Sequence, residues 1–329
     1  MERCLNNLYN DGLNSYLSVI IKSKEDEKAI KEELSDLGDF EFSGDKKDWP
    51  SLYYRIDEYL KTPYHSNIRL DKIKTSKAYK FSYEEIPANE LINLKAIQKD
   101  PNRELNDYMV LRAFDKAYKT TILSEKDEYW MADYPGELET MREPIEKAKG
   151  KVLTFGLGIG FYLYNVLIRD EVKEVTVIER SASVIEMFNK FLLPQFPSDK
   201  KINIIKGNAY DYFNKKFISD FDYVFVDTWK NQEDGYPMME RMLENYLPPV
   251  DKVDFWIEDS LTEFLTSSIF LYFEALYNHH KMPNDDAHRK MYKKIQRYFL
   301  GIKEIDSVDT LKHYMYDRNV LREIMAINL

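Results

Sequence analysis

The chain has 329 residues, 44% of them hydrophobic, enough for one large domain or two with a substantial core. Lys and Arg number 47 against 57 Asp and Glu, and the net charge of −10 disfavours non-specific binding to nucleic acid or to an anionic membrane. Cys4 is the only cysteine, which excludes an intrachain disulfide, and no apolar run approaches the ~20 residues of a membrane span. The opening "MERCLNNLYNDGL" has no apolar signal core, so a soluble protein in a reducing, cytoplasmic setting is expected.

Residues 1–147 read as a mostly helical region that ends in a small hairpin. "KEDEKAIKEELSDLG" has helical charge spacing and a glycine stop at Gly38. "WPSLYYRIDEYLK" and "NRELNDYMVLRAFDKAYK" carry apolar residues three and four apart, which predicts helices. "KAYKFSYEEI" alternates as a strand does, and "TTILSEKDEYWMAD" predicts a hairpin with Glu125, Lys126 and Asp127 near its turn.

Over residues 148–262 strands alternate with helices. The strands are Val152–Phe155, "KEVTVIER", "KINIIKG", "FDYVFVD" and "KVDFWIED". Helices are predicted in "SASVIEMFNKFL", "AYDYFNKKF" and "PMMERMLENYL". Five apolar strands in this alternation predict an α/β fold with a mainly parallel, Rossmann-like sheet and right-handed crossovers. Residues 263–329 read as a helical extension, with "SSIFLYF" as the one segment that could instead be a strand.

The first strand runs into "GLGIG". Three of the 11 glycines, Gly156, Gly158 and Gly160, fall within five positions there. A strand leading through such a turn into a helix brings bare backbone and a helix N-terminus close to a ligand. A tight ligand-free turn would use the same residues. Glu179 ends the next strand, 23 positions after Gly156 (179 − 156), where an acid can accept hydrogen bonds from both hydroxyls of an adenosine ribose. The spacing is G-x-G-x-G, with Phe161 standing where a dinucleotide site has its last glycine. It suits a smaller, zwitterionic tail better than a pyrophosphate.

On "VLTFGLGIG", "VTVIER", "INIIKGNAYDYF" and "FDYVFVDTW", the sequence resembles the class I S-adenosylmethionine-dependent methyltransferases over about residues 148–260. The resemblance implies that Phe155, Gly156, Gly158 and Gly160 border the methionine moiety of S-adenosyl-L-methionine and that Glu179 holds the ribose. It places Arg180, Asn208 and Ala209 at the adenine and Asp227 near the reacting methyl group. Many members have Asp at the position of Asn208 and an apolar residue at that of Arg180. The family's sheet usually closes with an antiparallel hairpin that is not evident after Ser260.

"DTWK" resembles the Asp-His-Trp-Lys stretch of catechol O-methyltransferase, with Thr228 replacing His. The likeness implies catalytic roles for Asp227, Trp229 and Lys230, Lys230 as the acceptor's base. In that family the Asp and an Asp-Asn pair after the fifth strand hold magnesium; here the pair is Asp259-Ser260, with Glu258 beside it. The hard oxygens of Asp227, Asp259 and Glu258 suit Mg²⁺, but Ser is a poor substitute for Asn and no metal is expected. His279, His280 and His288 beside Asp285 and Asp286 form a weaker metal candidate, equally readable as a polar loop. Tyr134 and Glu137 are placed to close over a pocket.

The expected activity is methyl transfer to a small or medium-sized acceptor, with no nucleic-acid or membrane partner and the oligomeric state open. The chain lacks the Asp/Asn-Pro-Pro-aromatic tetrapeptide of many nucleic-acid amino-methyltransferases. One alternative is a spermidine-synthase-like aminopropyltransferase. The hairpin favours it; Ile159, where those enzymes carry an amine-binding Asp, counts against it. Another alternative is a non-catalytic scaffold that retains the nucleotide fold.

Overall fold

The computed structural model describes residues 12–74, 79–95, 98–100, 107–125, 128–197, 199–280, 288–302 and 304–329. It divides into two compact units. The first comprises Met1–Glu146, Gly158–Arg169 and Ala182–Asp199, the second Lys147–Leu157, Asp170–Ser181 and Lys200–Leu329.

In the first unit, helix α1 (Lys24–Leu37) forms where the sequence predicts. Ser23 accepts the Asp26 N–H at its start, three acids complement the dipole in its first turn, and Gly38 ends it at φ 85°. Its buried Ile30 and Leu34 join Leu13, Phe42, Leu52 and Leu91 in one apolar cluster. The strands are β1 (Tyr53–Tyr54), β2 (Tyr79–Ile86), β3 (Leu91–Asn93), β4 (Gln98–Lys99), β5 (Asp107–Tyr108), β6 (Leu111–Phe114), β7 (Tyr118–Glu125) and β8 (Glu128–Ala132). They form the sheets β1-β6-β3, β2-β7-β8 and β4-β5. The helices are α2 (Ile56–Tyr59), α3 (Pro63–Asn67), α4 (Pro135–Glu139), α5 (Arg142–Lys147, whose last residue belongs to the second unit), α6 (Phe161–Leu167) and α7 (Ala182–Met187).

The expected hairpin is present as the antiparallel pair β7–β8; Lys126 and Asp127 at its tip lie outside the described residues. Of the helix expected across 102–119, residues 102–106 lie outside the described residues and the rest is not helical. Its described part is β5, β6 and the start of β7. Pairing decides this: Ala113 sits opposite both Tyr53 and Leu91, and its N–H donates to the Leu52 carbonyl at 2.7 Å. Tertiary partners override a spacing that looks helical in isolation. Likewise Tyr53 and Tyr54 of "WPSLYYRIDEYLK" are drawn into β1, and the helix there shrinks to the four residues of α2.

The second unit holds β9 (Gly150–Phe155), β10 (Val172–Glu179), β11 (Lys201–Lys206), β12 (Tyr223–Val226) and β13 (Val253–Phe255). All neighbours pair parallel in the order β11-β10-β9-β12-β13. This is the 3-2-1-4-5 order of a doubly wound Rossmann-like sheet, whose direction reverses between β9 and β12. β12 and β13 are buried throughout, as suits a sheet covered on both faces, while the edge strand β11 is polar at Lys201, Asn203 and Lys206.

Helices α8 (Ala209–Tyr212), α9 (Lys215–Ile218), α10 (Gln232–Asn245), α11 (Glu258–Leu261), α12 (Glu263–Tyr277), α13 (Arg289–Tyr298), α14 (Val308–Tyr316) and α15 (Arg318–Met325) complete the unit. Among the described residues no strand follows Phe255, and "SSIFLYF" lies within α12. The β13 edge is capped instead by α15: the Arg322 Nη2 donates to the Val253 carbonyl at 2.7 Å. A guanidinium thus covers backbone that a further strand would pair with. No helix among the described residues is long and apolar enough to cross a membrane.

Candidate functional site

The carboxyl ends of the five strands are brought level by backbone hydrogen bonds. Gly156 N donates to Ile178 O at 2.9 Å, Asp227 N to Phe155 O at 2.9 Å, Gly207 N to Glu179 O at 3.0 Å, and Trp256 N to Val226 O at 2.8 Å. Gly156, Glu179, Asn208 and Asp227 therefore stand along one edge, where ligands of such sheets bind. Phe155 itself is core: its ring packs 5.9 Å from Phe213.

All three turn glycines have positive φ: 99° at Gly156, 49° at Gly158 and 75° at Gly160. At Gly156 a Cβ would lie 1.9 Å from the Asp227 carbonyl oxygen, so only glycine lets the fourth strand's backbone approach. Within the first unit, a Cβ at Gly158 would meet the Met131 sulfur at 2.5 Å, and one at Gly160 would meet the Phe188 ring at 2.8 Å. Packing alone accounts for the glycines that the sequence assigned to a ligand.

Glu179 is 3% exposed. Its Oε2 accepts the Leu157 N–H at 3.0 Å and its Oε1 the Ser181 N–H at 2.7 Å. The Arg180 backbone N–H also bonds to it, and a carboxylate's roughly four lone-pair sites leave acceptor capacity for a further donor. Burial pushes the Glu179 carboxyl above its ordinary range, and the Ser181 and Leu157 donors work against that shift. Arg180 is exposed beside it. Asn208 is exposed and caps α8 by accepting the Tyr210 N–H at 3.2 Å; Ala209 is buried.

Past β12, Asp227 and Lys230 are partly exposed, and the Lys230 N–H donates to Asp234 at 3.2 Å. Trp229 is buried against Phe255, with ring centroids 6.2 Å apart. Three buried polar atoms in this stretch, Thr228 Oγ1, Trp229 Nε1 and Tyr236 OH, have no hydrogen-bond partner among the described residues. The acids after β13 are committed elsewhere. Arg322 grips Glu258 with two bonds of 2.7 and 2.6 Å, and Arg318 holds Asp259 with two of 3.2 Å. A carboxylate already neutralised by a guanidinium is a poor ligand for a hard cation, so this end of the sheet does not fit magnesium. No cluster of three or more His, Cys, Asp or Glu among the described residues could hold a metal. Asp285 and Asp286 of the histidine candidate lie outside the described residues; His288 packs on Phe264 at 4.2 Å.

Sequence reasoning missed a polar cluster in the first unit. Asp133 accepts from Tyr59 and Tyr118 and faces His65, while Tyr64 reaches the second half of the glycine turn. The "WMAD" strand hinted at Asp133, but nothing in the local pattern marks His65. Nearby, Tyr134 packs on Phe114 at 5.9 Å. Glu137 accepts the Ala132 N–H at 3.2 Å.

No family model and no curated protein matches the chain. Among solved structures it is similar to a spermidine synthase in complex with the transition-state analogue AdoDATO, at 21% identity and a TM-score of 0.28, over 38% of this chain and 49% of that one. It is similar to the spermidine synthase from Thermotoga maritima at 17% identity and a TM-score of 0.28, over 54% and 63%. A protein-L-isoaspartate O-methyltransferase matches at 20% identity and a TM-score of 0.23, over 31% and 32%. The chain thus spans about half to two thirds of the two synthases, and its fold assignment stands on its own strand order.

Proposed function

We propose that residues 148–262 bind S-adenosyl-L-methionine at the carboxyl ends of β9, β10 and β11, and that the protein transfers the methyl group to a small or medium-sized acceptor, in a cytoplasmic setting. The observation that carries this reading is Glu179: a buried carboxylate at the carboxyl end of β10, tied by Leu157 to the glycine turn, with acceptor capacity beyond its backbone bonds. A ribose hydroxyl can donate to that remaining capacity. In this reading the turn at Gly156 borders the amino-acid tail. Asn208 and Ala209 edge the adenine, and the exposed guanidinium of Arg180 stacks on it.

When bound, the cofactor supplies a methyl carbon made electrophilic by the sulfonium. The chain's part is to position the acceptor in line with that carbon and to take its proton. In this reading Lys230 takes the acceptor's proton, Asp227 stands near the reacting methyl group and Trp229 forms the pocket wall.

Aminopropyl transfer is the second reading, favoured by the antiparallel sheet β2-β7-β8 that precedes the nucleotide fold. Calorimetric titration with S-adenosylmethionine, its decarboxylated form and NAD separates the possibilities. Tightest binding of S-adenosylmethionine is expected. Preference for the decarboxylated form moves the assignment to aminopropyl transfer, and indifference to all three leaves a scaffold.

A further inference from the structure

Two glycines of the turn are covered by side chains of very different kinds. At Gly160, a Cβ would lie 2.8 Å from the Phe188 ring and 2.9 Å from the Phe196 ring, and both rings are buried. At Gly158, with φ 49°, it would lie 2.5 Å from the Met131 sulfur and 3.2 Å from the Met131 terminal methyl. Apart from Gly158's own chain neighbours, no other described atom comes within 4 Å of that position. Gly158 and Met131 are both partly exposed. One glycine is therefore sealed by rigid rings, and the other is shielded only by the end of a flexible side chain.

The strand that carries Met131 is irregular just before it. In β8, Met131 pairs with Leu123 and Tyr129 with Ser124, so Trp130 is an extra residue without a partner across the ladder. Such a bulge re-aims the side chains around it. The backbone just after Met131 is held in place. The Ala132 N–H donates to Glu137 at 3.2 Å, and the Asp133 N–H to the Thr121 carbonyl at 2.8 Å. Uncovering Gly158 thus needs no movement of the strand. It needs only a rotamer change in an unbranched thioether with three rotatable bonds, the most adaptable of the large apolar side chains.

We infer that Met131 is a removable plug for the amino-acid end of the cofactor site: its thioether lies on Gly158 in the free chain and swings off when the tail of S-adenosylmethionine takes its place. The two groups are chemically alike, since each presents the turn with a sulfur that carries a methyl and a methylene chain. The inference rests on the methyltransferase reading above, which puts that tail at the turn. A permanent seal is better made from buried rings, as Gly160 shows.

Two measurements test it, the first without a disabling variant. With isotopically labelled methionine methyls, the free protein should show a nuclear Overhauser contact between the Met131 methyl and the Gly158 α protons. Saturation with S-adenosylmethionine should abolish it; Met131→Leu identifies the signal. In the second, calorimetry should show Met131→Ala binding S-adenosylmethionine about 3- to 10-fold more tightly than the unmodified protein, because a contact of roughly one methylene group no longer has to be broken first. An Overhauser contact that persists in the complex, or an alanine variant that binds no more tightly, overturns the plug and leaves the cofactor reading standing. Failure of both proteins to bind the compound overturns that reading and the plug together. The Overhauser measurement decides the matter even where the alanine variant does not fold.

Discussion

Glu179 Oε2 lies 3.0 Å from the Leu157 amide nitrogen, so the acid ending β10 and the turn following β9 are joined before any ligand arrives. The residue best suited to hold a ribose is also a brace for the turn. Glu179→Gln separates the two roles, because a carboxamide keeps the shape but must turn an NH₂ toward one of two N–H donors, Leu157 or Ser181. Affinity for S-adenosylmethionine should fall about 10- to 100-fold, the loss of one or two hydrogen bonds to a charged group. Calorimetry measures the affinity, and a thermal melt should show destabilisation alongside it. Unchanged affinity would remove Glu179 from the site. The direction with pH follows from burial. The carboxyl is raised above its ordinary 4.5, so affinity should begin to drop at a higher pH than for an exposed glutamate as the acid protonates and loses its acceptor capacity.

Gly156 and Gly44 both have φ 99°, but only one is crowded. A Cβ at 156 would lie 1.9 Å from Asp227 O, while one at 44 meets nothing within 4 Å. Ala at Gly44 should cost only the conformational strain, about 1–2 kcal/mol. Ala at Gly156 should add a backbone clash and cost about 2–5 kcal/mol in all. Chemical denaturation of the two variants provides the comparison. Equal losses would mean that β9 and β12 do not approach as closely at this point as described.

Much of the second unit could be read in the sequence because each strand there is short, apolar and separated by a helix. "VTVIER" needs no distant partner to declare itself, since a strand covered on both faces reads as a near-continuous β-branched and apolar run. The first unit hides its strands. In "NDYMVLRAF" the apolar residues fall at spacings that a helix would also use, and only pairing with Tyr53 and Leu91 selects β6. Side-chain partnerships were the least legible part. His65 and Asp133 are 68 residues apart, and Arg322 and Glu258 are 64 apart. No local pattern joins them. Glu258 and Asp259 therefore looked available to a cation when arginines of the C-terminal helices already hold them.

Glu137 gives the chain a pH-dependent stability. Burial, with Asp133 nearby, pushes its carboxyl up to about 7 against the Ala132 and Tyr129 donors. The protonated form is thus favoured in the folded state. Between about 4.5 and 7 the fold binds more protons than the unfolded chain, so stability falls as pH rises through that window and is level above it. Because the residue is only partly buried, a loss of about 1–3 kcal/mol is expected. Glu137→Gln should remove it: the variant gains on the unmodified protein from pH 5 to pH 8 in urea denaturation. A difference between the two proteins that stays constant across that range would contradict the assignment.

Arg322 and Glu258, at 0% and 3% exposure, form an ion pair with almost no access to water. The guanidinium also caps Val253 on the sheet edge and lies 5.0 Å from the centre of the Phe255 ring. Each charge is tolerable only because of the other. Arg322→Met strands Glu258 and uncovers the edge of β13, and should cost about 3–5 kcal/mol; Glu258→Leu strands the guanidinium and should cost about the same. Combining them removes both charges, and two apolar side chains of similar volume can fill the site. The double variant should therefore lose far less than the sum of the single losses, leaving mainly the bond to Val253 unmade. A double-mutant cycle in chemical denaturant measures this coupling. Additive losses would show that the two residues act independently, and that α15 is held to the sheet edge by its apolar face, Val320, Leu321, Ile324 and Met325, without help from the charge pair.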